Sequence, residues 1–129
     1  MSWASNASER NRRAARKACE AVGRLVRDDV RQSISTRVFR YGGVVFRSEP
    51  GEPPFRENGD LWRSVKYRVL DEANSVEAVE VYTDDMPKAF YLEKGTEDME
   101  ARPFMAPARK RAGDLTPLWK RLYRQYLKG

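Results

Sequence analysis

The chain has 129 residues, 40% of them apolar and 34% charged, which points to one small folded domain over residues 1–129 rather than a disordered chain. It carries 25 Lys or Arg against 19 Asp or Glu and no histidine, so histidine-based nucleases and zinc sites are excluded. A single cysteine, Cys19, excludes an internal disulfide and reads as a small apolar helix residue.

In "SNASERNRRAARKACEAVGRLVRDDVRQSIS", Ala18, Val22, Leu25, Val26, Val30 and Ile34 recur at three- and four-residue steps with arginines on the other faces. This predicts a long amphipathic helix, capped by Asn6 with Glu9 three residues on and weakened internally by Gly23. "RVFRYGGVVFR" places β-branched and aromatic residues on both sides of Gly42-Gly43, which predicts a tight hairpin. "SEPGEPPFRENG" holds too many Pro and Gly for regular structure and reads as a stiff, projecting loop.

Asp60 is placed to cap one helical turn through "LWRS". "VKYRVLD" and "VEAVEVYT" then alternate apolar and polar residues, as an antiparallel pair does with one greasy and one wet face. "MPKAFYLEKGT" reads as a short helix with Pro87 near its start, Lys94 in its last turn and Gly95 at its exit. In "TPLWKRLYRQYLKG", Thr116 and Pro117 open a second amphipathic helix with a stripe of Leu118, Trp119, Leu122, Tyr123, Tyr126 and Leu127. Periodicity leaves open whether "MAPARKRAG" is an earlier turn of that helix. The predicted class is α+β: a small antiparallel sheet packed with a long N-terminal and a C-terminal helix, and a projecting Pro-rich loop.

Enzyme chemistry finds little to work with. Glu93, Glu97, Asp98 and Glu100 cluster around Gly95, but their spacing matches no ordered calcium loop, and a solvated turn is the simpler reading. No Walker-type phosphate loop and no Gly-x-Ser-x-Gly elbow occurs. The expectation is a protein that is not an enzyme and needs no cofactor. Neither an apolar run of membrane-spanning length nor a leader pattern is present, so a soluble product made in the cytoplasm, without a membrane partner, is expected.

Charge is segregated along the chain. Residues 1–40 hold ten basic against four acidic residues, residues 41–101 seven against fourteen, and residues 102–129 eight against one. Such a chain can bind nucleic acid through its Arg-rich first helix, or let the acidic middle of one copy meet the basic helices of another. The second is favoured, because an acidic middle repels phosphate unless it faces away.

Residues 91–108, "YLEKGTEDMEARPFMAPA", concentrate the informative signals. Pro103 forces Arg102 into an extended conformation, and Pro107 follows four residues later, so Phe104 sits on a rigid, bent strap. Two readings stand level. Phe104 plugs the chain's own core while Arg102 pairs with Glu93 or Glu97, or both residues are buried between copies.

Four motifs occur in order: Pro-Gly-x-Pro-Pro (Pro50, Gly51, Pro53, Pro54); Gly-x-Leu-x-x-Ser-Val (Gly59, Leu61, Ser64, Val65); Tyr-x-Glu-x-Gly-Thr (Tyr91, Glu93, Gly95, Thr96); and Arg-Pro-Phe-x-x-Pro-Ala (Arg102, Pro103, Phe104, Pro107, Ala108). With the flanking helices, this series resembles the tailed-bacteriophage morphogenesis family of tail-completion or head-to-tail joining proteins, from about residue 10 to the end of the chain. Lys94, where that family commonly has an aromatic residue or His, and the longer hairpin depart from the pattern. The resemblance implies a small α+β subunit forming a homo-oligomeric ring, a hexamer, at the virion neck. Its implied partners are the head connector or stopper and the tail tube, with passive contact to DNA in the lumen. On this reading Pro53, Pro54, Phe55 and Trp62 reach outward to a neighbour. Arg102, Pro103 and Phe104 brace the junction with Tyr91, Glu93, Gly95 and Thr96. Burial within the subunit's own core is the competing expectation for each.

Overall fold

A computed structural model describes residues 3–34, 39–41, 44–46, 48, 50–54, 59–72 and 75–129, with side chains for these except residues 3–7, 39–41, 44–46, 71, 72 and 75–77. The elements in chain order are α1 (Trp3–Ser33), β1 (Phe39–Tyr41), β2 (Val44–Phe46), α2 (Asp60–Ser64), β3 (Val65–Glu72), β4 (Ser75–Thr83), α3 (Lys88–Lys94), α4 (Met105–Ala112) and α5 (Thr116–Lys128). The protein is α+β, as its periodicities predict. Its described strands form two two-stranded sheets, β1 with β2 and β3 with β4. β1 and β2 run antiparallel in the register Phe39 to Phe46 and Tyr41 to Val44, which flanks Gly42-Gly43 as the hairpin reading requires. Among the described residues no helix is long and apolar enough to cross a membrane.

The chain gathers into two compact units, each assembled from separate segments. One contains residues 1–25, 67–81 and 114–129, the other residues 26–66 and 82–113. In the first unit, Ala14, Ala18, Cys19 and Val22 on α1 are buried. An ideal Cβ on Gly23 would come within 2.6 Å of Tyr67 Cδ2 on β3 and 2.8 Å of Val79 Cγ2 on β4. Gly23 is therefore a point of close approach between helix and strands, and not merely a weak spot in α1. Trp119 of α5 donates its indole N–H to Cys19 Sγ at 3.3 Å. Lys17 Nζ lies 6.0 Å from the ring centre of Tyr126, a second contact between α1 and α5.

The second unit buries Val30, Ile34, Leu61, Val65, Ala89, Phe104 and Ala108. Phe104, with no exposed surface, is the largest of its fully buried side chains, and burying it contributes about 1.5–3 kcal/mol. Ser64 Oγ and Thr83 Oγ1 lie 2.6 Å apart, tying the end of α2 to the end of β4.

Several capping expectations are corrected. α1 begins at Trp3, which places Asn6 inside the helix; Ala4 and Ala7 favour helix strongly enough to extend it past the expected cap. The N-cap of α2 is Gly59 at φ 85°, a left-handed conformation without steric cost for glycine, and Asp60 is instead the first helical residue, paired with Arg63 at 3.1 Å. "MAPARKRA" is a separate helix, α4, ended by Gly113 at φ 61°. Thr116 is the first residue of α5, and Asp114 Oδ1 accepts its backbone N–H at 3.0 Å. Leu25, expected in the α1 stripe, is 54% exposed. The stripe advances about 40° with each four-residue step and leaves Leu25 behind it.

Candidate functional site

The opening of α4 explains the strap. Helix N-termini leave backbone N–H groups without partners inside the helix. Here Glu93, near the end of α3, supplies them: Oε1 accepts from Phe104 N at 3.0 Å and Met105 N at 2.9 Å, and Oε2 from Ala106 N at 3.1 Å. The next residue, Pro107, has no N–H to satisfy. One carboxylate therefore completes the start of α4, and its charge also opposes the positive end of the helix dipole. In the Tyr-x-Glu-x-Gly-Thr and Arg-Pro-Phe-x-x-Pro-Ala stretches, Glu93 and Pro107 are two halves of one cap.

Gly95 makes the fold-back possible. Its φ of 76° is unfavourable for other residues, and an added Cβ would lie 2.9 Å from both Ala101 N and Met99 O. Thr96 N donates to Met99 O at 2.7 Å and Met99 N to Thr96 O at 3.3 Å, closing the turn. Arg102 N then donates to Leu92 O at 2.6 Å, bringing the strap back alongside α3. The Pro-rich segment joins the same cluster, since Gly51 N donates to Ala101 O at 2.8 Å.

Arg102 is not paired with Glu93 or Glu97. Arg102 Nε donates to Ser48 Oγ at 3.1 Å, and Nε and Nη2 both reach Ser48 O at 3.3 Å. Its expected partner Glu93 is held by backbone donors, and Glu97 is exposed. Ser48 is itself buried, and a residue 54 positions away without a surrounding motif gave no signal of this role.

The residues expected to reach outward divide. Pro54 is buried and Pro53 half-buried, whereas Pro50, Gly51 and Glu52 are exposed, and residues 55–58 of the expected projecting loop lie outside the described residues. Phe55 lies outside the described residues. Trp62 is half-buried, with the Arg31 guanidinium 4.6 Å from its ring centre. Arg31 also donates from Nε and Nη2 to Val65 O at 3.1 and 2.6 Å, pinning the end of α1 to the junction of α2 and β3. Desolvation, with the neighbouring Arg27 charge, holds its pKa below the ordinary value, against the opposing pull of Asp28. Tyr91 is 45% exposed, Pro103 is half-buried, and Phe104 plugs the core.

Within Gly-x-Leu-x-x-Ser-Val, Gly59 takes the left-handed cap, Leu61 and Val65 enter the core, and Ser64 donates to Leu61 O at 2.6 Å beside Thr83. Of the acidic cluster, Glu93 turns inward to its cap while Glu97, Asp98 and Glu100 are exposed. Among the described residues no group of three or more His, Cys, Asp or Glu is placed to hold a metal ion. No known protein family, curated protein or solved structure matches the chain, so the resemblance to phage joining proteins rests on the motif residues alone.

Proposed function

We propose that the protein is a structural subunit of a bacteriophage neck, assembling into a ring that completes the tail and joins it to the head connector. The observation that carries this reading is that pieces of all four resembling motifs serve the framework of one compact unit. Glu93 caps the Arg-Pro-Phe helix, Gly95 turns the chain back, Gly51 bonds the strap, and Gly59, Leu61, Ser64 and Val65 build the adjoining turn and core. Motifs that spend their polar groups on backbone donors and acceptors suit a subunit whose product is a shape. The segregated charge supplies unlike faces for contacts between copies.

The test measures mass by light scattering at low and high salt, for the protein alone and with detached tails, beside a gel shift with duplex DNA. A closed oligomer, formed alone or on tail ends, supports the proposal. A salt-sensitive DNA complex of a plain monomer, with no assembly in either condition, refutes it and favours the Arg-rich helix as a nucleic-acid-binding module.

A further inference from the structure

We infer that the outer face of α5 is a ridge that binds the phosphate backbone of duplex DNA, a second activity that stands beside the ring reading and does not rest on it. α5 carries Lys120, Arg121, Arg124 and Lys128 and no acidic residue in its 13 positions. All four cations are exposed, and none of their side chains makes an ion pair or hydrogen bond among the described residues. At about 100° per residue they fall within about 100° of one another, on the side turned away from Trp119 and Tyr126, which contact α1. Lys120, Arg124 and Lys128 follow at four-residue steps, about 6 Å apart along the axis, and a duplex presents about one phosphate charge per 1.7 Å of its own.

The Arg-rich α1 is the stronger basic signal in the sequence, but much of its charge is engaged within the protein. Arg24 Nη1 donates to Tyr67 Oη at 3.4 Å, Arg27 pairs with Asp28 at 3.0 Å, Arg31 holds Val65 O, and Lys17 lies over the Tyr126 ring. The exposed acids Glu97, Asp98 and Glu100, which count against phosphate binding, belong to the other compact unit from α5. Asp114 is the acid next to the ridge in sequence and shares a surface depression of about 420 Å³ with Lys120 and Arg124. Its Oδ1 accepts the Thr116 N–H, so that carboxylate serves the start of the helix and pairs with neither cation.

The chemistry of this face selects nucleic acid over a protein partner. Apart from Pro117, the exposed residues of α5 are polar or charged, and every large apolar residue of the helix is half-buried. Protein interfaces centre on apolar and aromatic side chains and are poor in lysine, whereas DNA interfaces are polar and strongly positive. The aromatic residues also favour a duplex over a single strand. Trp119 and Tyr123 stack on each other, centroids 5.1 Å apart at 7°, and Tyr126 faces Lys17, whereas single-strand binding uses aromatic faces open to the bases. Cations without base-reading partners bind the backbone irrespective of sequence.

The experiment follows a short labelled duplex of mixed sequence by fluorescence anisotropy as full-length protein and salt are varied. Four neutralised phosphates give a slope of about −3.6 in log K against log salt, a loss of about 150-fold between about 50 and 200 mM NaCl. Lys120→Gln, Arg124→Gln and Lys128→Gln together are expected to reduce the slope to about −0.9. Lys94→Gln, Arg109→Gln and Lys110→Gln remove the same charge from exposed positions elsewhere and are expected to leave it near wild type. Thermal melts check folding, and should the α5 variant not melt natively, Arg124→Gln alone replaces it, with an expected slope change of about one. A wild type that does not bind the duplex at the lower salt overturns the ridge, as does an equal loss in the control variant. Binding that survives in the α5 variant but is lost with Arg12→Gln and Arg13→Gln overturns it in favour of α1. Polyglutamate that displaces the duplex at equal charge concentration overturns it in favour of an acidic protein partner. Assembly on tail ends decides the neck reading separately: a ring that ignores DNA overturns only the ridge, and a monomer that binds DNA through α5 but never assembles overturns only the ring.

Discussion

Replacing Glu93 by alanine removes the acceptor for three backbone N–H groups at once. The bonds from Phe104 and Met105 are part-buried, whereas that from Ala106 is exposed, so water replaces the third at little cost. A hydrogen bond to a charged group contributes about 1.5–3 kcal/mol, and two such bonds, discounted for the partial exposure of Glu93, give a loss of about 2–4 kcal/mol. For a chain of this size that corresponds to a fall of about 8–16 °C in Tm. Urea unfolding followed by circular dichroism reads the loss as a lower midpoint at unchanged slope. Glu93→Gln keeps one carbonyl acceptor but turns an amide donor toward another N–H, and is expected to fall between wild type and Ala. A Glu93→Ala midpoint equivalent to less than about 0.5 kcal/mol, the range of an ordinary surface substitution, would refute the capping argument.

Gly95→Ala is expected to destabilise by more than the roughly 1–2 kcal/mol of a left-handed residue, because its Cβ also meets the backbone at Ala101 and Met99; a thermal melt near wild type contradicts this. Gly23→Ala, which in an exposed helix would stabilise by about 1 kcal/mol, is expected to destabilise here through contact with Tyr67 and Val79, and a raised Tm would show that the close approach is absent. The Thr116 backbone N–H holds the Asp114 carboxyl below its usual pKa, so its stabilising contribution is present above the unfolded-state pKa and is lost as pH falls through the folded one. Asp114→Asn should therefore flatten the acid limb of a Tm-against-pH curve, and an unchanged limb would remove Asp114 as its source.

The elements were legible because their residues repeat with the period of the structure. Val65, Tyr67 and Val69 alternate in sequence and in burial, and Ala14, Ala18 and Val22 repeat on the buried face of α1. The class of fold needed nothing more. What the sequence concealed were partners that carry no side-chain signature. Glu93 stood out as a motif residue, but an acid beside an arginine suggests an ion pair, whereas its partners are peptide N–H groups that every non-proline residue has. Ser48 and Gly51 are joined to the strap across about two fifths of the chain's length, and no local pattern announces such a contact. Gly23 was read by its helix propensity, while its real constraint comes from two strands distant in sequence. The even contest over Phe104 was settled by burial, a quantity that depends on the whole unit.

The central claim is tested most directly by imaging particles from a phage in which the gene for this chain carries an early stop codon. The account predicts DNA-filled heads and separate tails, joined again when the protein is supplied from a plasmid. Normal, infectious virions without the protein would contradict it.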